Sequence, residues 1–162
     1  MYVIQVVPGM DEIIQARLEW AKIPAYAPSE EVAIRNKGKW HTETRLLFPG
    51  YIFMDKEYTP ELFHQLKYMD GFIKFLGEPK PLSETEEKQI RFLCNNGKPI
   101  KTSYYTLHDN VPEFTVGVLS EMPVEVVSFS PRQRRVKILV QIGSLEFFCS
   151  LPAEKNLISE PG

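Results

Sequence analysis

The side chains that could bind metals or act as nucleophiles are scattered along this 162-residue sequence. The three histidines, His41, His64 and His108, fall in different predicted elements, and none has a second histidine or a carboxylate at a recognisable ligand spacing. The two cysteines, Cys94 and Cys149, form no CxxC pair, so neither a disulfide framework nor a structural zinc site is expected. We therefore predict no metal site and no cofactor.

Sequence motifs for catalysis are also missing. No serine or cysteine lies in a nucleophile-elbow setting, and the sequence has neither GxxxxGK nor GxGxxG. Glu84, Glu86 and Glu87 form the acidic first turn of a predicted helix, a position that the helix dipole favours, so we interpret them as capping residues. We predict that the protein is not an enzyme and has no catalytic residue.

Four positive charges are concentrated at one predicted turn between strands. The cations are Arg132, Arg134, Arg135 and Lys137, and Phe129 precedes them as a possible stacking surface. These five residues are our predicted RNA-binding site, since a loop of a small barrel can contact phosphates and stack on bases. Four phosphate contacts would give a salt slope of roughly -3 to -4. The alternative is a solvated hairpin whose charges keep a sheet edge soluble.

The overall charge requires any nucleic-acid site to be local. The formal net charge is -2, and the two halves are similar, with 12 basic and 14 acidic residues in 1–95 and seven of each in 96–162. A protein that coats nucleic acid through bulk positive charge needs a clear excess of lysine and arginine. That class is excluded.

Residues 45–54, RLLFPGYIFM, form the most informative apolar segment. A strand with helices on one face of its sheet should alternate apolar and polar residues, and this segment does not. Pro49 and Gly50 within it predict a bulge or kink. Its second face must be covered by the last helix, by another domain or by a partner protein.

The elements that position these residues follow from periodicity and turn signals. We predict strands at 2–7, around 32–35, at 42–54 and at 72–76. Helices are predicted at 11–21, from Thr59-Pro60 and from Ser83. The spacing of Ser83 to Glu86 is that of a capping box. The order βαββαβα predicts an α+β, ferredoxin-like N-terminal domain over residues 1–95.

The C-terminal part has a different pattern. Residues 96–112 show no sustained period and are interpreted as a linker. From 115 to 158 the chain is rich in Val, Ile and Phe, with turns at Ser130-Pro131 and Gly143-Ser144. We predict a small all-β barrel over residues 113–162.

The sequence has no segment that indicates a membrane or secretion. Its first residues, MYVIQVVPGM, lack the basic region and long apolar region of a signal peptide, and no apolar run approaches the ~20 residues that span a bilayer. We expect a cytoplasmic protein without membrane contact.

Several motifs together resemble the NusG family of transcription elongation factors. The chain has YVIQV at its start, FPGYI at 48–52, GFIKFLG at 71–77 and PLS at 81–83. In this order they resemble the NusG N-terminal (NGN) domain, and the strands from about residue 112 resemble the SH3-like barrel that carries the KOW motif.

This resemblance implies a monomer that binds the clamp helices of the largest RNA polymerase subunit. The apolar docking surface would include Phe48, Pro49, Tyr51 and Phe53. Such a factor needs no covalent chemistry, because tighter binding to the elongating state than to the paused state shifts the equilibrium between them.

The barrel region departs from the usual family pattern. The stretch 115–119 keeps one glycine, and Met122-Pro123-Val124 stands where a glycine-containing turn is expected. Contacts of the barrel to Rho or a ribosomal protein are therefore left open. The Val- and Ile-rich tail argues against the all-helical C-terminal form of the RfaH branch, and the basic turn is most similar to the LoaP branch. That branch implies operon-specific antitermination, with recruitment through a nascent leader RNA hairpin.

Two alternatives accompany this interpretation. The first is a general pausing or termination factor whose barrel binds Rho or a ribosomal protein. The second is a free-standing RNA-binding or ribosome-associated protein that does not contact polymerase. Tyr51→Ala and Phe48→Ala should leave the second kind of protein active, since its activity does not use the docking surface.

Overall fold

The computed structural model describes residues 1–77, 79–121 and 125–156. The strands are Tyr2–Val6 (β1), Ala25–Tyr26 (β2), Ser29–Asn36 (β3), Lys39–Leu46 (β4), Tyr51–Met54 (β5), Phe72–Phe75 (β6), Ser103–His108 (β7), Val111–Val116 (β8), Glu125–Ser130 (β9), Arg135–Ile142 (β10) and Leu145–Lys155 (β11). The helices are Asp11–Trp20 (α1), Pro60–Lys67 (α2) and Glu84–Cys94 (α3). The predicted α+β class, with sheet and helices first and strands last, is confirmed.

The N-terminal unit (β1–β6 and α1–α3) is built on a four-stranded sheet with the order β2-β5-β1-β6. The central strands β1 and β5 are antiparallel, with Ile4 opposite Ile52. Both side chains are fully buried in one apolar cluster with Ile14 and Leu18 of α1 and Leu66 of α2. Helices α1 and α2 therefore share a core with one face of this sheet, as their apolar periodicity predicts.

Local side-chain chemistry starts and ends the helices. Thr59 Oγ1 accepts a hydrogen bond from the Leu62 amide at 3.1 Å at the start of α2. Ser83 and Glu86 form the predicted capping box at the start of α3, and Asn95 ends that helix in the left-handed region with φ 48°. Within the described residues, no helix is long and apolar enough to cross a membrane.

The segment 42–54, predicted as one kinked strand, is two strands in different sheets. Strand β4 pairs with β3 in a separate two-stranded ribbon, whereas β5 joins the main sheet. Pro49 and Gly50 lie between them, and Gly50 has φ +88°. Proline cannot donate to a ladder and glycine tolerates the left-handed region, so the chain leaves one sheet here and enters another.

Strands β7 to β11 form a five-stranded sheet with the order β8-β7-β11-β10-β9, called the C-terminal sheet below. Burial alternates along β10, where Val136, Ile138, Val140 and Ile142 point into the core. The predicted turns are confirmed between β9 and β10 and, at Gly143-Ser144, between β10 and β11. The expected turn at 122–124 and the end of the predicted barrel, from 157, lie outside the described residues.

The interpretation of residues 96–112 as a linker is wrong for much of that stretch. Strand β7 lies within it and pairs in parallel with β11, with Ser103 opposite Ala153, and β8 begins at Val111. Ser103 and Tyr105 are buried while Tyr104 between them is more exposed, which is the period of a strand. This run is too short to show a sustained pattern in the sequence.

Candidate docking surface and nucleic-acid interface

A buried carboxylate fixes the turn that carries the predicted docking residues. Asp11, only 3% exposed, accepts hydrogen bonds from the amides of Gly50 at 2.6 Å and Gly9 at 3.1 Å. The Val6 amide donates to the Gly50 carbonyl at 2.9 Å. The turn is thus tied both to α1 and to the sheet, so the aromatic residues on either side of it have fixed positions.

The four predicted docking residues, Phe48, Pro49, Tyr51 and Phe53, are called the docking cluster below. Phe48 and Phe53 are buried, Tyr51 is half-buried and Pro49 is exposed. Gln5 Nε2 donates to the Tyr51 hydroxyl at 3.1 Å. In this arrangement the cluster is not an open apolar patch.

The C-terminal sheet covers Phe48, Tyr51 and Phe53 of the docking cluster, and Phe147 makes the aromatic contacts to two of them. The Phe147 ring on β11 lies edge-on to Phe48, with centroids 5.8 Å apart, and to Tyr51 at 5.3 Å. The same buried apolar cluster includes Ile90 and Leu93 of α3. Of the three covers that the sequence allows, two are therefore present: the last helix and the other unit.

Polar contacts close the same interface on its rim. Glu86 of the capping box also accepts a hydrogen bond from the Gly143 amide in the β10–β11 turn. Burial raises the pKa of Glu86, but the hydrogen bonds from Gly143 and Ser83 outweigh it, and the pKa lies below its ordinary value. The carboxylate form therefore favours the contact between the units.

Open clefts border this interface on two sides. A cleft of about 1050 Å³ lies between α3 and the end of β8, and one of about 800 Å³ lies between β6, the start of α3 and the β10–β11 turn. Both are lined by residues of the two units. Between the clefts, buried side chains of the two units form one apolar cluster, and Phe147 packs against it.

The predicted basic turn connects β9 to β10. Ser130 Oγ accepts a hydrogen bond from the Gln133 amide at 3.2 Å, and Arg134 has φ 56°. Arg132, Arg134 and Lys137 are exposed. Arg132 and Arg134 thus lie in the β9–β10 turn and Lys137 near the start of β10, at one end of the C-terminal sheet that is called the basic edge below.

Arg135 differs from the other three cations because it connects the two units. Its Nη2 donates to both carboxylate oxygens of Glu30 at 2.8 Å, and its Nε donates to Ser150 Oγ at 3.0 Å. The Glu30 side chain is 7% exposed and that of Arg135 is 25% exposed. The neighbouring Arg134 forms a longer, exposed ion pair with Glu154 at 3.5 Å.

The predicted stacking residue Phe129 is not positioned to stack on a base. Its ring is half-buried and packs against Tyr105, with centroids 5.8 Å apart. Phe148 is 60% exposed, and Lys137 Nζ lies 5.9 Å from the centre of its ring. Sequence reasoning missed Phe148; since adjacent strand residues face opposite ways, the Phe147-Phe148 pair could have indicated one inward and one outward ring.

The histidines and cysteines form no shared site. His41 pairs with Glu43 at 3.3 Å and His108 with Glu113 at 3.0 Å, in separate strands. Across the part of the chain that the structure describes, no group of three potential ligands could hold a metal ion. Burial raises the pKa of Cys149 to about 12, which leaves its thiol unreactive at neutral pH.

Comparison with known proteins places the chain in a family. Residues 1–91 match the family model described as "Transcription termination factor nusG". The chain belongs to the NusG family. Its curated relatives are named as transcription termination/antitermination proteins.

These relatives are distant but extend across both units. The NusG protein of Helicobacter pylori strain 26695 is 26% identical over 119 residues, which are 71% of this chain and 68% of the relative. That of Haemophilus influenzae is 26% identical over 156 residues, covering 87% and 84%. That of Thermus thermophilus is 25% identical over 163 residues, covering 87% and 88%.

A solved structure agrees with the fold. The structure titled "Domain interaction in Thermotoga maritima NusG" superposes with a TM-score of 0.57 at 18% identity and covers 93% of this chain and 92% of the other. At this identity the likeness supports the fold alone. The arrangement of an NGN-type unit followed by a KOW-type sheet is therefore that of a NusG protein.

Proposed function

We propose that this chain is a NusG-family factor that binds RNA polymerase through the docking cluster and promotes processive antitermination. In this proposal a nascent leader RNA hairpin recruits it through the basic edge of the C-terminal sheet, as in the LoaP branch. The factor acts as a monomer in the cytoplasm, where transcription takes place. It catalyses no reaction, since its effect comes from binding one state of the polymerase more tightly.

The observation that carries RNA recruitment is the exposed basic edge beside an exposed aromatic ring. Arg132, Arg134 and Lys137 lie at solvent, and Lys137 stands over the ring of Phe148. Guanidinium and ammonium groups bind phosphates, and an exposed ring provides a stacking surface for an unpaired base of a hairpin loop.

Polymerase docking is supported by the chemistry of the buried cluster. Phe48 and Tyr51 accept the edge of an aromatic ring from Phe147, which is not part of their own unit. A surface that receives an apolar side chain from a separate unit can receive apolar side chains of a partner helix in the same way. Docking therefore requires the C-terminal sheet to move away from the cluster.

A second candidate function is a general pausing or termination factor whose C-terminal sheet binds a protein such as Rho or a ribosomal protein. Val127 is 47% exposed and Phe148 is 60% exposed on this sheet. Exposed apolar side chains on a small sheet favour a protein partner as well as a base.

The test is a pull-down of the full chain with RNA polymerase, followed by sequencing of the RNA that co-purifies. We expect one or a few leader sequences with a hairpin to be enriched, and Tyr51→Ala to weaken polymerase capture. Tyr68→Ala, at a 71% exposed position on α2's C-terminal side, is the matched control and should leave capture unchanged.

The outcomes separate the candidates. Polymerase capture with no enriched RNA, together with capture of Rho or a ribosomal protein, supports the second candidate. RNA capture without polymerase would overturn both and support the free-standing RNA-binding protein.

A further inference from the structure

The two-stranded hairpin of β3 and β4, called the ribbon below, extends into solvent for most of its length. Its root is fixed, because the Glu31 amide donates to the Ile100 carbonyl at 2.8 Å. Beyond the root, every residue of 39–45 is exposed. Lys37 and Gly38 at the tip have φ 51° and 77°, as a tight two-residue turn requires. A hairpin gains little stability without burial, so packing does not explain this extension.

The ribbon carries a surplus of exposed positive charge. Of its three carboxylates, Glu30 pairs with Arg135 and Glu43 pairs with His41. Within the part of the chain that the structure describes, no ion pair engages the four cations of the ribbon, all of which are exposed: Arg35, Lys37, Lys39 and Arg45. The ribbon is therefore a local basic site on a chain whose net charge is -2.

One face of the ribbon combines an aromatic ring with hydrogen-bond donors. Trp40 is 66% exposed, and the guanidinium carbon of Arg35, its partner in the register, lies 6.0 Å from the centre of its ring. Thr42 and Thr44 follow on the same face and are exposed. The core of a protein–protein interface is depleted in charged groups, whereas guanidinium and hydroxyl groups suit phosphate oxygens and 2′-hydroxyls.

The ribbon meets the basic edge at its root. Glu30 stands opposite Arg45 in the register and accepts two hydrogen bonds of 2.8 Å from Arg135, which adjoins the β9–β10 turn. One carboxylate offsets only one of the two arginines that flank it, so positive charge continues from the basic edge onto the ribbon. From Arg45 to Lys39 the ribbon extends ~20 Å at ~3.3 Å per residue, which is the length of about six base pairs.

We propose that the ribbon binds the double-stranded stem of the leader RNA. This proposal rests on the proposed function and adds a second RNA site, in the N-terminal unit: the basic edge binds the hairpin loop and the ribbon binds the stem. Double-stranded RNA is recognised by its shape and through its phosphates and 2′-hydroxyls, which the donors of the ribbon match. A stem of fewer than about six base pairs would leave Lys39 without a phosphate and should bind more weakly than a longer one.

The double variant Lys39→Gln, Arg45→Gln tests the stem contact. Each phosphate contact contributes ~0.9 to the salt slope of duplex binding, so the slope for an RNA stem-loop should flatten by about 1.8. At 0.15 M salt the affinity should fall roughly 10- to 30-fold. The double variant Lys56→Gln, Lys88→Gln is the matched control, because it removes the same charge from exposed positions outside the ribbon, and it should keep the original slope. A ribbon variant that also keeps this slope would overturn the proposal.

Trp40 can report stem binding directly. Trp20→Phe, at a 91% exposed position, leaves Trp40 as the only tryptophan of the chain. In this variant a stem-loop should change the tryptophan fluorescence, and the loop sequence alone, as a short single strand, should not. Fluorescence that stays constant at saturating stem-loop would contradict the ribbon site. A DNA duplex with the stem's sequence should bind more weakly, and equal binding would overturn the assignment to RNA.

Arg132→Ala separates this proposal from the proposed function, because it removes a cation of the basic edge alone. If it weakens stem-loop binding and the ribbon variant does not, recruitment through the basic edge stands and the ribbon site is wrong. If only the ribbon variant weakens binding, the ribbon site stands and recruitment through the basic edge is wrong. If neither variant changes binding, both are wrong.

Discussion

Phe147→Ala tests how strongly one side chain holds the two units together. Phe147 lies on β11 and contributes the ring that meets Phe48 and Tyr51 across the interface. Clefts border this interface, but the shared apolar cluster of the two units remains in place when the ring is removed. We expect the variant to keep both units folded and to weaken the contact between them.

The magnitude follows from burial and geometry. Truncating a fully buried Phe to Ala costs about 3–5 kcal/mol, and an edge-on ring pair contributes about 0.5–1.5 kcal/mol beyond its buried area. Phe147 is only half-buried, so we expect a loss of about 2 kcal/mol from the free energy of the closed arrangement. At 1.4 kcal/mol per factor of ten, this is a shift of roughly 30-fold toward the open form.

Urea unfolding and polymerase binding both measure this shift. The free energy of unfolding should fall by about 2 kcal/mol, and affinity for core RNA polymerase should rise, up to roughly 30-fold if the closed form dominates. Phe148→Ala is the matched control, because the neighbouring ring is 60% exposed and faces away from the interface, and its loss should stay below about 0.5 kcal/mol. Equal losses of stability in the two variants would refute the assignment of Phe147 as the main contact.

Three further predictions concern local structure and pH. Ser83→Ala removes half of the capping box and should lower stability by about 1 kcal/mol in thermal unfolding. Gly117 has φ +100°, and a Cβ at this position would lie 2.5 Å from Ser103 Oγ. Gly117→Ala should therefore lower the free energy of unfolding in urea by about 1–3 kcal/mol. Gly143→Ala, whose Cβ would meet no atom within 4 Å, should lower it less. Because the pKa of Glu86 is lowered, its carboxylate contributes fully to stability above about pH 4.5, and this stabilisation is lost as the pH falls through the folded-state pKa. The NMR shift of the Gly143 amide should follow this titration, and in Glu86→Gln it should no longer depend on pH.

The features that sequence could predict are those set by local chemistry. The capping box of Ser83 and Glu86 and the Thr59 cap need only neighbours in sequence, and both are present. The basic turn was predictable for the same reason, since a strand turn keeps consecutive cations on one edge. For the two helix caps and the basic turn, residue type and spacing along the chain are enough to place the groups.

The features that sequence could not predict depend on partners far along the chain. Glu30 and Arg135 are 105 positions apart, and nothing near either residue indicates that they pair. Phe129 and Phe148 both lie in strands rich in apolar residues, so only the register of the sheet decides which ring faces out. The kink predicted at Pro49 and Gly50 is likewise a change from one sheet to another. Asp11, 39 positions away, fixes this turn by accepting a hydrogen bond from the Gly50 amide.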